Sequence, residues 1–531
     1  MRVNKLNVVA LILVLSLALS ACGKGSGGAT QAGSAQNDGS ASEQTKEYKD
    51  TLNVAVTAQP PTLDSASTVS AVTFDIVGNI FEQLYTLNAQ YEPVPQLAES
   101  VEKSDDGLTY TFPLRKGVTF HNGKEMVADD VVASMNRWLE TSSRAKSLLA
   151  GAKFEKIDDY AVKLTVEKAT SDVLTLLASH AQFPAIMPKE VIDGVTADGL
   201  KEYIGTGPYQ FKEWKQDQYI QLVKYDGYKG LDSEASGYSG KKEAPAQNLF
   251  FYFVSDPATR IAGIQTGKYD VAASIPTENY DELAADSNIQ LHTYAGGALT
   301  AFLNTSEGLL KNDKLRQAIL AALNDEEILL ASYAKPELYT LSPGYMNLKQ
   351  PQWSTDAGKE YYNQNNPEKA KQLLREAGYN GEEITLLTTK DYAEMYTATL
   401  VIQDQLKKAG FNVKVDNYDF PTFLETKNDR SKWDLFVAST GYQLTPPQML
   451  VVTPDWAGLD HDTVKNGIVA LRGAATPEDA KQEWEKIQTF LYEYGAATVL
   501  GHYNSVIATT KNVEGFAVQD SFILWNAKAS Q

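Results

Sequence analysis

Between residues 366 and 437 apolar positions recur first at helical spacing and then at every second residue, and this alternation of periods sets the fold class. Asn366-Pro367-Glu368 supplies a cap, a first-turn proline and a dipole-matched acid, after which Ala370, Leu373, Leu374 and Ala377 keep helical spacing until Gly378. A second helical stretch runs from about Tyr392 to Ala409 and stops at Gly410. Phe411-Asn412-Val413-Lys414-Val415 then alternates strictly, as a strand with one covered face does. A short helix is expected around residues 420–426, and Trp433-Asp434-Leu435-Phe436-Val437 reads as a buried strand. Strand and helix in this succession predict a mixed α/β fold, a sheet with helices packed on it.

The first half is richer in strand and turn signals. Residues 107–114, 160–166 and 219–223 alternate with period two, and 126–138 keep helical spacing behind Asn122-Gly123. The tract from Asp226 to Pro245, rich in Gly, Ser, Lys and Tyr, reads as a long surface loop. No repeat of fixed period is present.

The N-terminus follows a different logic. Arg2 and Lys5 precede an apolar run from Val8 to Leu19 and the small residues Ser20 and Ala21, the pattern of a secretory signal with its cleavage point. The run is too short to span a bilayer, which takes about 20 apolar residues. Leu19-Ser20-Ala21-Cys22 resembles the lipobox of bacterial lipoproteins. That resemblance implies that Cys22, the one cysteine of the chain, is acylated and becomes the first residue after cleavage of residues 1–21. Residues 22–50 are then the lipidated cysteine and a tether of Gly, Ser, Ala, Gln and Thr with a reach on the order of 30 Å.

Composition narrows the rest. With 43% hydrophobic and 22% charged residues the remainder is globular, and with its cysteine committed it has no structural disulfide. The 48 basic and 67 acidic residues give a net charge of −19, which disfavours nucleic acid and anionic surfaces as partners. Enzyme signatures are missing: no Gly-x-Ser-x-Gly elbow, no His-Glu-x-x-His and no phosphate-cradling loop. His121, His180, His292, His461 and His502 are scattered without ligand spacing, so no metal site or cofactor is expected. Weight shifts from catalysis toward binding.

Several blocks carry a resemblance. Pro95-x-Leu97-Ala98-Glu99-Ser100, Ser104 to Phe112, Leu114-Arg115-x-Gly117-Val118-x-Phe120-His121-Asn122-Gly123 and Ala128-Asp129-Asp130-Val131-Val132 resemble the hallmark of the family 5 solute-binding proteins, receptors of oligopeptide, dipeptide and nickel ABC importers. Gly205-Thr206-Gly207-Pro208-Tyr209, Leu303-Asn304-Thr305-Ser306, Leu315-Arg316-Gln317-Ala318-Ile319, Pro367-Glu368-Lys369-Ala370 and Leu406-x-x-Ala409-Gly410-Phe411 follow in the family's order. The blocks themselves read as turns and caps, a scaffold signature in which His121 has no catalytic part.

The resemblance implies a two-lobed periplasmic-binding-protein-like fold (type II, cluster C) that closes on a solute. Lobe I would comprise 50–298 with 505–531, an inserted subdomain lying at about 84–200, and lobe II would be 299–504. In peptide-binding relatives an aspartate after a Gly-Trp pair holds the ligand's amino terminus. The corresponding stretch here is Gly441-Tyr442-Gln443-Leu444-Thr445, with Thr445 at the acid's place and Tyr442 as an aromatic wall. Lys390 is the nearest match to the arginine that holds a ligand carboxylate, Gln59 replaces an acid before Leu63-Asp64-Ser65, and Trp456 is a further wall candidate.

The reading is therefore a monomeric, lipid-anchored receptor on the outer face of the cytoplasmic membrane that captures an oligopeptide and passes it to a permease. Loss of both expected acids makes a neutral solute such as an oligosaccharide the alternative, and a secreted hydrolase or a surface sensor would be alternatives of another class.

Overall fold

The computed structural model describes residues 46–196 and 199–531. The signal segment, Cys22 and most of the expected tether lie outside the described residues. The helices and strands expected between 366 and 437 form with small shifts, as Pro367–Ala377, Ala393–Lys408, Asn412–Tyr418, Phe420–Asn428 and Leu435–Gly441, and a further strand, Glu383–Thr389, lies between the first two helices. The expected strand at Trp433 begins later because Asp434 is spent as a connector. Its carbonyl accepts from the Asn304 N–H at 2.8 Å, and its carboxylate accepts from the Thr385 N–H at 2.9 Å. In the first half the helix is Ala128–Thr141, since Asp130 accepts from the Val127 N–H and fixes the start. Gly123, at φ +81°, closes a separate turn in front of it.

One eleven-stranded sheet runs through the molecule. Its middle is the antiparallel pair Ile289–Leu303 and Ala497–Thr510, matched from Ile289 opposite Thr510 to Phe302 opposite Ala497. To one side lie Leu435–Gly441, Glu383–Thr389 and Asn412–Tyr418. To the other lie Val271–Ala272, Thr51–Val56, Asn248–Phe253, Tyr219–Lys224 and Tyr209–Lys215, and the eleventh strand, Tyr339–Thr340, pairs off this path with Ala497–Thr510. A four-stranded sheet, Glu102–Lys103, Thr109–Pro113, Ala161–Thr165 and Lys153–Asp158, sits apart with the helix Ala128–Thr141 against it.

Two apolar cores result. One joins the helical cover of the 383–441 strands to one face of the long pair, around Phe302, Trp484 and Leu386. The other combines the four-stranded sheet with Leu52, Val54, Leu249 and the C-terminal residues Phe522 to Trp525. Leu444 belongs to this second core, and Tyr442 packs against it, although Ala438 and Met449 on either side belong to the first.

The long pair is bulged between Ala295 and Gly297. A Cβ on Gly297 would fall 1.9 Å from the Thr440 carbonyl oxygen, and one on Gly296 would fall 2.4 Å from the Tyr503 ring. Backbone approach this close admits only glycine. Gly297→Ala should therefore destabilise the protein by about 1–3 kcal/mol, the usual range for overpacking, read as a lower urea midpoint; an unchanged midpoint would refute the argument.

The hallmark blocks do scaffold work. Gly205 and Gly207 pack onto the backbone at Ile80, where added Cβ atoms would come within 2.2 and 2.6 Å of its carbonyl oxygen. His121 bridges the same strip, Nδ1 accepting from the Gly205 N–H at 3.2 Å and Nε2 donating to the Gly207 carbonyl at 3.0 Å. Burial lowers its pKa to about 4, against the pull of that carbonyl. The tract 226–245, expected as a surface loop, is partly interior. Lys242 and Tyr238 are buried there, Lys242 Nζ lying 3.1 Å from Glu82 Oε1 and 4.6 Å from the Trp525 ring centre. Glu82 also accepts from Gln96, Thr206 and Tyr228, so one carboxylate ties the loop to the Gly205-Thr206-Gly207 block.

Candidate functional site

Parallel strands leave their carboxyl ends free for ligands. Thr51–Val56 ends at Val56 and Thr57, and Leu435–Gly441 ends at Gly441, Tyr442 and Gln443. Both ends line one cavity of about 320 Å³. Its walls also hold Asp75 from the helix Ala71–Val77, Arg144, His180, Tyr294 and Gly296 at the bulge, and Asp520 and Ser521 near the C-terminus. The cavity thus draws on both sides of the long strand pair.

Its polar groups are few and concentrated. Asp75 accepts from the Ser521 hydroxyl, and Asp520 accepts from the Tyr238 hydroxyl. Burial raises the Asp75 carboxyl to about 7, with the Ser521 hydrogen bond opposing and the Asp520 charge adding to the rise. Burial likewise pushes Tyr294 and Tyr238 up and His180 down, so the tyrosines keep their protons and the imidazole is neutral. His180 stacks on Tyr238 with ring centres 4.4 Å apart, and its Nε2 has no hydrogen-bond partner. Tyr442, which lines the cavity, stacks on Tyr91 with ring centres 5.1 Å apart.

Of the residues expected from sequence, Tyr442 and Gln443 line this cavity. The other four are held elsewhere. Gln59 presents its amide oxygen to the Trp214 indole N–H at 3.3 Å and the Asp217 N–H at 2.7 Å, which binds it to a strand turn. Thr445 is buried because Leu444 beside it anchors in the second core. Lys390 is exposed, its ammonium 5.1 Å from the Tyr396 ring centre. Trp456 packs on Phe302 and Phe436 beneath Lys427 and belongs to the first core. Asp75, Arg144, His180 and Asp520 were missed. Asp75 did leave a trace, as the single charge in the helix sequence Ala-Val-Thr-Phe-Asp-Ile-Val.

Among the described residues no group of three or more His, Cys, Asp or Glu is placed to hold a metal ion, and no helix is long and apolar enough to cross a membrane.

Two α/β lobes with a cavity lined from both sides of the long strand pair have the architecture of a solute-binding protein. The sequence profile of the bacterial extracellular solute-binding proteins, family 5 (middle), matches residues 92–454, and the chain belongs to that family. It is a family of binding proteins, not of enzymes, and its members act outside the cytoplasm. The oligopeptide-binding protein AppA of Bacillus subtilis is 27% identical over 559 aligned positions, covering 99% of this chain and 98% of that protein. Among solved structures, the ABC transporter substrate-binding protein CtaP of Listeria monocytogenes superposes with a TM-score of 0.80 at 24% identity, covering 91% of this chain and 100% of that one. A dipeptide-binding protein from Pseudoalteromonas in complex with Met-Leu gives 0.73 at 22% identity, covering 90% and 100%. The chain is thus a substrate-binding protein of an ABC importer.

Proposed function

We propose that the protein captures short peptides in the cavity between its lobes and delivers them to a membrane permease. The carrying observation is the cavity itself, supplied from both sides of the long strand pair and large enough, at about 320 Å³, for a small solute. Small-molecule sites span roughly 300–1,000 Å³, so this volume suits a di- or tripeptide better than a long chain. Relatives named for oligopeptides and dipeptides support the ligand class. Arg144 supports it too, since it lines the cavity without an acidic partner among the described residues and can meet a carboxylate. The case for a neutral sugar rested on lost acids at Gln59 and Thr445; these side chains do not line the cavity, whereas two aspartates do.

Lobe I, residues 50–298 with 505–531, would close on lobe II, residues 299–504, about the paired long strands. Ligand favours the closed form by binding it better. Cys22 would carry the lipid that keeps the monomeric receptor beside its permease.

Short peptides should raise the melting temperature in a thermal-shift panel that includes oligosaccharides. Ligand at a hundredfold excess over Kd stabilises by about 2.7 kcal/mol. Stabilisation by oligosaccharides alone would overturn the peptide reading.

A further inference from the structure

The end of the cavity formed by Asp75, Asp520 and His180 holds charge without a counter-charge. Asp75 has the Ser521 hydroxyl and Asp520 the Tyr238 hydroxyl, and among the described residues no ion pair reaches either carboxylate. An ionised carboxylate has about four acceptor positions, so one hydroxyl each leaves most of them open. His180 adds an independent sign of a missing partner. Its side chain is 8% exposed, it lines the same cavity, and its Nε2 meets no donor or acceptor. Tyr294 and Tyr442 line the cavity as well, and ring faces attract cations. A neutral solute would leave the partly buried Asp75 and Asp520 carboxylates without a counter-charge.

We propose that this end of the cavity is a subsite for a cationic group of the solute, an alkylammonium or a guanidinium, set between the Asp75 and Asp520 carboxylates with His180 Nε2 as a further acceptor. The proposal rests on the solute-capture reading and sharpens it: the ligand carries a positive charge, and that charge is read by the N-terminal helix Ala71–Val77 and the C-terminal segment 520–521, not by the 441–445 stretch. The raised Asp75 carboxyl adds a pH signature. A group near 7 is half protonated in the empty cavity and must ionise to hold a cation, so affinity for a guanidinium such as agmatine's, which stays charged, should rise between pH 6 and pH 8, whereas a peptide α-amino group loses its own proton toward pH 8 and offsets part of that rise. The groups that face it do not cancel this. Tyr238 and Tyr294 stay protonated, His180 stays neutral, Asp520 adds negative charge, and Arg144 pairs with neither acid.

The test uses the full mature chain and two pools of random tripeptides, one with free amino termini and one N-acetylated and free of Lys and Arg. The free-amino pool should raise the melting temperature by several degrees, and acetylation should remove most of that shift. Asp75→Asn and Asp520→Asn should each weaken binding of the free-amino pool at least tenfold while leaving the far-ultraviolet circular dichroism and the ligand-free melting temperature at or above the parent's. Equal binding of both pools, or full binding by folded variants, would overturn the subsite and leave peptide capture standing. Should neither pool bind, peptide capture falls, and agmatine and tetramethylammonium decide the subsite separately: stabilisation lost in Asp75→Asn supports it, and no stabilisation by either cation overturns it.

Discussion

Lys242→Met should lower the unfolding free energy by about 3–5 kcal/mol, the range for removing one partner of a buried ion pair. The ammonium and the Glu82 carboxylate are 3% and 2% exposed, and Lys242 lies in a tract with no regular secondary structure of its own. Methionine keeps the length and the contact with Trp525 but strands a carboxylate among Gln96, Thr206 and Tyr228. These three hydroxyl and amide donors remain, which places the effect toward the lower end. Adding Glu82→Gln should recover most of the loss, because removing both partners of a buried pair is often close to neutral. Urea unfolding of the two variants measures this; a single variant within 1 kcal/mol of the parent by that measure would show the pair to be replaceable by its neighbours.

Arg472→Ala should shift the protein toward an open form and weaken ligand binding about ten- to a hundredfold. Arg472 ends the helix Asp462–Arg472, and its Nε and Nη2 each lie 3.2 Å from Asp172 carboxylate oxygens 300 residues away in sequence. The Arg472 carbonyl accepts from the Ser171 N–H at 2.8 Å, and its guanidinium also donates to the Leu148 carbonyl. This is a contact between the proposed lobes, away from the cavity. Hydrogen bonds to charged groups contribute roughly 1.5–3 kcal/mol each way they are counted, and 1.4 kcal/mol is tenfold in an equilibrium. Apparent affinity falls with the fraction of closed protein. A larger radius of gyration in solution scattering, restored toward the parent by saturating ligand, is the expected signature. An unchanged radius and unchanged affinity would assign the pair to surface decoration.

The helices were legible in sequence where a few neighbouring residues decide the matter. Asn366, Pro367 and Gly378 bound the helix Pro367–Ala377 because cap, proline and left-handed glycine act within one turn of the chain. Alternation at 411–415 worked for the same reason, since one covered face imposes period two. The cavity resisted because nothing local marks it. Asp75 and Ser521 meet across 446 positions of sequence, and neither sits in a motif. Thr445 and Trp456 do not line the cavity, for reasons of packing: Leu444 beside the first anchors in the second core, and the second packs on Phe302 and Phe436. Gln59 lost its amide oxygen to a neighbouring turn, which no pattern in its own segment announces.

The second apolar core has a consequence in time. It is begun by Leu52 and Val54 and finished by Phe522, Ile523, Leu524 and Trp525, while Lys49 donates its backbone N–H to the carbonyl of Ala529 at 2.8 Å. A ribosome adds roughly 5–20 residues per second, so the first strand waits on the order of half a minute or more for the residues that complete its sheet and its ligand cavity. For that interval the early part of the chain has no finished core to collapse onto, and its own topology delays folding until the C-terminal residues arrive.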